Sequence, residues 1–318
     1  MKKQFFYEII LPLLGVMVAG TVSLTCGGVR IDWNNFIADP IFELRLIRLI
    51  GAFTVGASLA VAGMVFQAVL RNTLAEPFTL GISGGAGVGA AAAIILDLQA
   101  AVTLLAVPLS ALAGALILLI FVLAFAGKRT PENLLLSGVI AGTVASGILM
   151  YMVSIADKDE LAGLAWWMLG DLQTPDKTLL AAAVAVLITL TIFFRLFARE
   201  LNALTMGDEM AHSMGVNSKV YLRVFVVAAS LLAAQTVALA GIIAFAGLIV
   251  PHLVRMCYGS NLHHTVLPTA LWGGGFLMIC DWLSRIINPM HELPVGVLTA
   301  AVGGVLFIYI LNRKRGNI

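Results

Sequence analysis

Along this chain, long apolar runs without strand-like alternation are separated by short polar connections. The runs cover residues 5–24, 49–70, 82–96, 102–126, 134–155, 178–197, 222–240, 266–284 and 295–311. A further run, 241–255, is interrupted by Pro251, which predicts a broken or re-entrant crossing there. One bilayer crossing takes about 20 apolar residues in a helix. Lipid leaves no backbone group unpaired, and these runs lack the period of barrel strands, so helices are the element predicted. The pattern therefore reads as an all-α polytopic membrane protein with about ten transmembrane helices, a single domain over residues 1–318.

One stretch breaks the pattern. Residues 199–223 carry Arg199, Glu200, Asp208, Glu209, His212, Lys219 and Arg223, so they belong in water or against another protein. Leu204, Met206, Met210, Met214 and Val216 keep an apolar pattern within it, interrupted by Gly207 and Gly215. This reads as two short helical pieces with a glycine at each break. A greasy-edged polar insert between membrane helices suggests a docking surface for a soluble partner.

Composition sharpens the picture. The 318 residues are 60% hydrophobic and 11% charged, with mean hydropathy +1.01. A soluble domain carries about 25% charged residues, so the lipid bilayer is this chain's solvent, and no nucleic-acid partner is expected. With the N-terminus cytoplasmic and ten crossings, thirteen of the nineteen Lys and Arg fall inside, as the positive-inside rule asks. That places both termini and the 199–223 insert in the cytoplasm, and Arg45, Arg48, Arg285 and the Trp166-Trp167 loop on the opposite face. Lys2 and Lys3 before an apolar run resemble a secretory signal, but every later segment is also membranous, so a retained first crossing is expected. Cys26, Cys257 and Cys280 fit no disulfide or zinc spacing and read as small buried hydrophobes.

Small residues mark close packing. Ala52, Gly56 and Ala60 form a ridge with a four-residue period. Pro77 and the glycines up to Gly89 would suit a phosphate-cradling loop, but no Lys-Ser or Lys-Thr pair follows, and close helix packing is the better reading. Gly138, Gly142 and Ser146 make a small, mildly polar face that could pack on a helix or line a path. His252 and Arg255 read as polar groups at a helix end, and His263-His264 lacks companion metal ligands at helical spacing.

Five blocks together resemble the permease family of type II ABC importers for iron-siderophore, haem and vitamin B12. They are Arg45-Leu-Ile-Arg48-Leu; Gly63-x-x-x-Gln67-x-x-x-Arg71-Asn72-x-Leu74-Ala75-x-Pro77-x-x-Leu80-Gly81; Trp167-x-x-Gly170; and Met206-Gly207-Asp208-Glu209-x-Ala211-x-x-Met214-Gly215-Val216. The fifth runs Gly241-x-Ile-x-Phe245-x-Gly247-Leu-x-x-Pro251-His252-x-x-Arg255, then Asp281-x-x-x-Arg285, then Glu292-Leu-Pro294-x-Gly296. Departures are Ile47 and Thr73 in place of Pro, Met206 and Met214 in place of Leu, and Val305 in place of a late Pro.

The resemblance implies a permease subunit without enzymatic activity or a cofactor of its own, paired with a second permease copy in an inner membrane. Two ATP-binding subunits, carrying ATP and Mg, would grip Met206, Gly207, Asp208, Glu209, Ala211, Met214, Gly215 and Val216. An extracytoplasmic substrate-binding protein would present carboxylates to Arg45, Arg48 and Arg285, which suits guanidinium geometry. Gly138, Gly142 and Ser146 are the expected wall of the translocation path. The expected cargo is an iron chelate, siderophore or haem, with cobalamin as the alternative, moved by alternating access. A secondary transporter is the rival reading, but its ionisable residues near the bilayer midplane are missing from these runs. A membrane-embedded enzyme would need clustered His or carboxylates, and a channel a charged or filter-like ring.

Overall fold

The computed structural model describes residues 6–27, 39–103, 105–126, 130–172, 176–288 and 292–315. The polar positions Lys2, Lys3, Arg30, Asp32, Lys128, Arg129, Pro289 and His291 lie outside them. Every regular element among the described residues is helical. In chain order these are α1 (Leu11–Thr25, entered through a π-helical turn Phe6–Ile10), α2 (Pro40–Val69), a 3-10 turn Pro77–Leu80, α3 (Ile82–Ile95), α4 (Leu98–Ala101) and α5 (Ala106–Phe125). Next come α6 (Pro131–Ile155), α7 (Lys158–Leu169), α8 (Lys177–Leu196), α9 (Ala198–Thr205) and α10 (Asp208–Ser213). The chain closes with α11 (Ser218–Ala240), α12 (Ala246–Tyr258), α13 (Leu262–Ile287) and α14 (Val295–Arg315).

Among the described residues, seven helices are long and apolar enough to cross a membrane: α1 with its π turn, α2, α5, α6, α8, α11 and α13. Residues 82–95, 246–258 and 295–308 form shorter apolar helices. Burial separates a centre from a rim. The apolar window of α2 is 83% buried, against 28% for α6 and α8. α2 packs on α11, α12 and α13, whereas α3 packs on α5 and α6. The rim helix α5 turns large apolar side chains outward, such as Ile117 and Phe121. That is how a helix fits a solvent of acyl chains.

Close approach depends on missing Cβ atoms. The Ala52, Gly56, Ala60 ridge faces α13, where a Cβ on Gly56 would lie 2.3 Å from the Gly273 carbonyl oxygen. Deeper along α2, a Cβ on Gly63 would lie 1.8 Å from the Gly247 oxygen. The glycine-rich run is likewise spent on contact: Gly85 and Gly89 lie against the backbone of Gly114 and Ser110 in α5.

Four sequence expectations shift. α2 starts at Pro40, not at residue 49, because the Asp39 side chain caps it by accepting from Ile41 N at 2.8 Å and Pro40 suits the first turn. Arg45 and Arg48 therefore ride on the helix. The 157–177 connection contains a helix, α7, whose N-terminus is closed where Asp157 N donates to Glu160 Oε2 at 2.9 Å. The break near Pro251 lies earlier, at residues 241–245, and Pro251 sits inside α12. Of the cysteines only Cys280 is buried; Cys26 and Cys257 are exposed.

The Gly63 contact makes a direct prediction. Gly63→Ala should cost at least about 3 kcal/mol, because backbone rather than a movable side chain blocks the new methyl. Gly147→Ala, with nothing within 4 Å of its Cβ position, should leave the Tm in detergent unchanged or slightly raised. Thermal unfolding of the two purified variants checks both.

Candidate functional site

α2 spans 30 residues, about 45 Å of helix, and meets a polar cluster at each end. The C-terminus of α2 meets the polar insert. α9 buries Ala198, Leu201 and Leu204. Its Asn202 donates to Asn261 Oδ1 at 2.9 Å and accepts from Leu262 N at 3.0 Å, fixing the start of α13. Gly207, at φ +107°, turns the chain into α10. Gly215, at φ +78°, ends α10 with Gly215 N donating to His212 O and Val216 N to Ala211 O, both at 2.9 Å. This is a Schellman closure, and its left-handed residue favours glycine. The two short helical pieces with a glycine at each break are thus present.

Within the insert, Ala211 and Val216 face inward, while Met206, Met210 and Met214 are 63%, 51% and 38% exposed. The insert is fastened by Arg71, just past the end of α2. Arg71 Nε donates to the Leu204 carbonyl at 2.8 Å, and its Nη2 pairs with Asp208. Leu204 lies in the last turn of α9 and Asp208 opens α10, so one guanidinium holds both sides of the Gly207 turn. A four-residue step up α2, Gln67 Nε2 lies 3.3 Å from the carbonyls of both Gly247 and Leu248, and its Oε1 accepts from Arg255. Pro251 has no N–H to offer the Gly247 carbonyl four residues back, and Gln67 takes that place. Glu76 likewise supplies an acceptor for Phe245 N at 2.9 Å, where α12 begins without a side-chain cap of its own.

The opposite end of α2 holds the arginines. Arg48 is buried; its Nε donates to Asp281 Oδ1 and its Nη1 to Glu292 Oε2, each at 2.7 Å. Arg285 is also buried, 3.2 Å from Asp281 Oδ2, and donates to Ser23 Oγ at 2.7 Å. Arg45 is half-buried and donates to the Leu24 carbonyl at 2.8 Å. The three arginines therefore converge, with α1, α2, α13 and the Glu292–Gly296 segment tied into one cluster. Beside this end lies a cavity of about 830 Å³ whose lining includes Asp97, Asp157, Asp159, Glu160, Trp166 and Trp167.

The expected path residues divide. Gly138 packs on the 3-10 turn, its Cβ position 2.6 Å from Leu80 Cα, and Gly142 lies against Gly81. Ser146 faces outward, its hydroxyl returned to the Gly142 carbonyl at 2.9 Å. Of the histidine pair, His264 Nδ1 lies 2.9 Å from Glu8 Oε1, which brings the described N-terminal turn to the insert's end of the bundle.

The model of the FecCD transport family matches residues 10–313. The chain belongs to the FecCD transport family. It is 36% identical over 317 residues to the vitamin B12 import system permease protein BtuC of Serratia proteamaculans, covering 97% of this chain and 93% of that one. It is 35% identical to a protein of Methanocaldococcus jannaschii named as an ABC transporter permease, over 98% of this chain and 95% of that one. Among solved structures, a metal-chelate type ABC transporter in an inward-facing conformation superposes with a TM-score of 0.88 at 26% identity, covering 96% and 98% of the two chains. PsaBC from Streptococcus pneumoniae in complex with Fab shares the fold alone, with a TM-score of 0.61 at 17% identity over 84% and 91%. The chain is accordingly a membrane-embedded permease subunit of an ABC importer.

Sequence reading of this FecCD permease placed the insert and the arginine trio on opposite faces, and they lie at opposite ends of α2. It did not find that Arg48 and Arg285 share Asp281, nor that Arg71 reaches Asp208. Arg285 and Asp281 are one helical turn apart on α13, but Arg48–Asp281 and Arg71–Asp208 join residues more than a hundred positions apart, and only the three-dimensional crossing of helices supplies them. Two consequences are measurable. Asp281→Asn should lower stability by about 3 kcal/mol, because it removes the buried charge that two buried guanidinium groups share and leaves them only Glu292 and Ser23, and chemical denaturation reads the loss. Arg71 and Asp208 have side chains 30% and 59% exposed, so their pair alone is worth about 0.5 kcal/mol. The Leu204 bond adds about 1 kcal/mol. Arg71→Ala should therefore speed hydrogen exchange of amides 205–213 about tenfold while the helices of the bundle stay protected.

Proposed function

We propose that this permease moves a large metal chelate inward by alternating access, as one of two identical copies enclosing a central path. On this reading the shorter helices α3, α12 and α14 complete ten crossings, and both termini and the insert face the cytoplasm. α9 and α10 seat in the groove of a separate ATPase that carries ATP and Mg, with Gly207, Asp208, Glu209, Ala211, Gly215 and Val216 shaping the contact. The observation that carries the reading is the row Met206, Met210 and Met214, exposed on a water-facing insert that is otherwise charged. Flexible thioethers suit a surface that must grip a partner through a conformational cycle. At the other end, Arg45, Arg48 and Arg285 receive carboxylates of a substrate-binding protein. Ser146, on the outward face of α6, lines the path, with Gly138 and Gly142 setting how closely α6 approaches Gly81.

An iron chelate, siderophore or haem, is the first cargo reading, supported by the likeness to a metal-chelate type transporter. Cobalamin is the second, favoured by the 36% identity to a vitamin B12 import permease. Proteoliposomes containing the permease, its neighbouring ATPase and binding protein should take up one of ferric siderophore, haem or cyanocobalamin only with ATP and Mg²⁺. Uptake driven by an ion gradient without ATP would sink the reading. Met210→Asp should abolish co-purification of the ATPase without unfolding the bundle. Ser146→Trp should cut uptake at least tenfold while ATPase binding persists.

A further inference from the structure

Arg48 already holds a carboxylate where a partner's carboxylate would have to sit. Its Nε faces Asp281, which is fully buried, and this pair has no way out. Its Nη1 faces Glu292 at 2.7 Å, and the Glu292 side chain is 37% exposed. Among the described residues, Glu292 is thus the carboxylate of the cluster that can leave into water without crossing protein. It also opens a strap. Leu293 N donates to Ser284 O at 3.3 Å, and Gly296 N approaches Gly170 O at 3.4 Å. A Cβ on Gly296 would lie 2.2 Å from Leu169 O and 2.8 Å from Ile242 O, so the strap lies directly on the backbone after α7 and after α11. Those two segments are themselves joined, with Asp171 N donating to Ala240 O at 2.9 Å.

We propose that Glu292 is a placeholder carboxylate, occupying the Arg48 fork until a carboxylate of the substrate-binding protein displaces it, and that its departure loosens the Glu292–Gly296 strap from Leu169, Gly170 and Ile242. The proposal rests on the docking role given above to Arg45, Arg48 and Arg285. The exchange swaps one charge-assisted hydrogen bond for another, so docking leaves no buried guanidinium unpaired. The resident carboxylate also weakens apparent affinity, because only the fraction of molecules with an open fork can bind. A strap released only on docking gives the outer end of the path a reason to respond to the partner's arrival rather than to free cargo.

The test uses the full permease–ATPase complex in nanodiscs and the binding protein encoded beside it. Glu292→Gln keeps shape and the Leu293 backbone bond but gives up the charge; it should tighten binding about tenfold at physiological salt. Glu292→Asp keeps the charge but shortens the reach, and should tighten binding by a smaller factor; it also decides the matter if the Gln variant misfolds. Glu43→Gln removes a charge at the same end, from a side chain that pairs with Lys177 and not with Arg48, and should change affinity less than twofold. Equal effects of Glu43→Gln and Glu292→Gln would reduce the result to long-range steering and overturn the proposal. So would unchanged or weaker binding by both Glu292 variants. A wild-type complex that ignores the binding protein altogether would instead remove the docking reading, and this proposal with it.

Discussion

Hydrocarbon supplies no hydrogen-bond partner, and Gln67 is where this chain meets that constraint most directly. Pro251 sits inside α12 and leaves the Gly247 carbonyl without its helical donor. The Gln67 amide fills the gap, 3.3 Å from that carbonyl and from the next. Its own oxygen then accepts from Arg255. None of this works unless the two backbones nearly touch, and they do so at Gly63 and Gly247, a four-residue step from Gln67 on α2. Missing side chains and a correctly placed amide are thus parts of one solution. The irregular segment 241–245 can exist at the heart of a helical bundle because Glu76 and Gln67 supply what the helix has given up.

The same helix joins the two ends of the molecule. α2 carries Arg45 and Arg48 near its start and Gln67 at its finish, with Arg71 just beyond. A helix buried on nearly all sides, and locked to α13 at Gly56 and Gly273, bends little. The packing is uneven: α3 lies mainly on α5 and α6, and α2 on α11, α12 and α13, with α11 also packed on α5 and so bridging the two groups. The short turn Pro77–Leu80 and Gly81, in the left-handed region at φ +78°, connect the two groups.

Most of the helical layout was legible from apolar runs, because a bilayer imposes a length that sequence cannot hide. The insert was legible for the opposite reason, as the stretch too charged for lipid, and its two glycines marked the turns that need positive φ. α7 was missed although Asp157 and Glu160 carry the spacing of a capping box, since its apolar content is too small to register as a run. The start of α2 was set too late because Glu43, Arg45 and Arg48 read as a polar connection; their charges are compensated by Lys177, Leu24 O and Asp281, none of them nearby in sequence. Gly138 and Gly142 show the limit from the other side. A small, mildly polar face looks the same whether it meets cargo or a neighbouring turn, and here it meets Leu80 and Gly81.

The arginine cluster raises a question that stability alone does not answer. Removing charges from water is expensive, and a buried ion pair replaced by well-packed apolar residues often leaves a protein as stable or more so. The first turns of α2 and the last turn of α13 could have been closed with leucine and phenylalanine, as the rest of the bundle is. Two guanidinium groups around Asp281, with Glu292 at the rim, hold α1, α2 and α13 together by bonds that are directional and can be exchanged. Apolar packing offers no such exchange, because an apolar surface once opened has only water or lipid to turn to. Charges retained at this cost are what the docking role proposed above for Arg45, Arg48 and Arg285 would require of this end of the bundle.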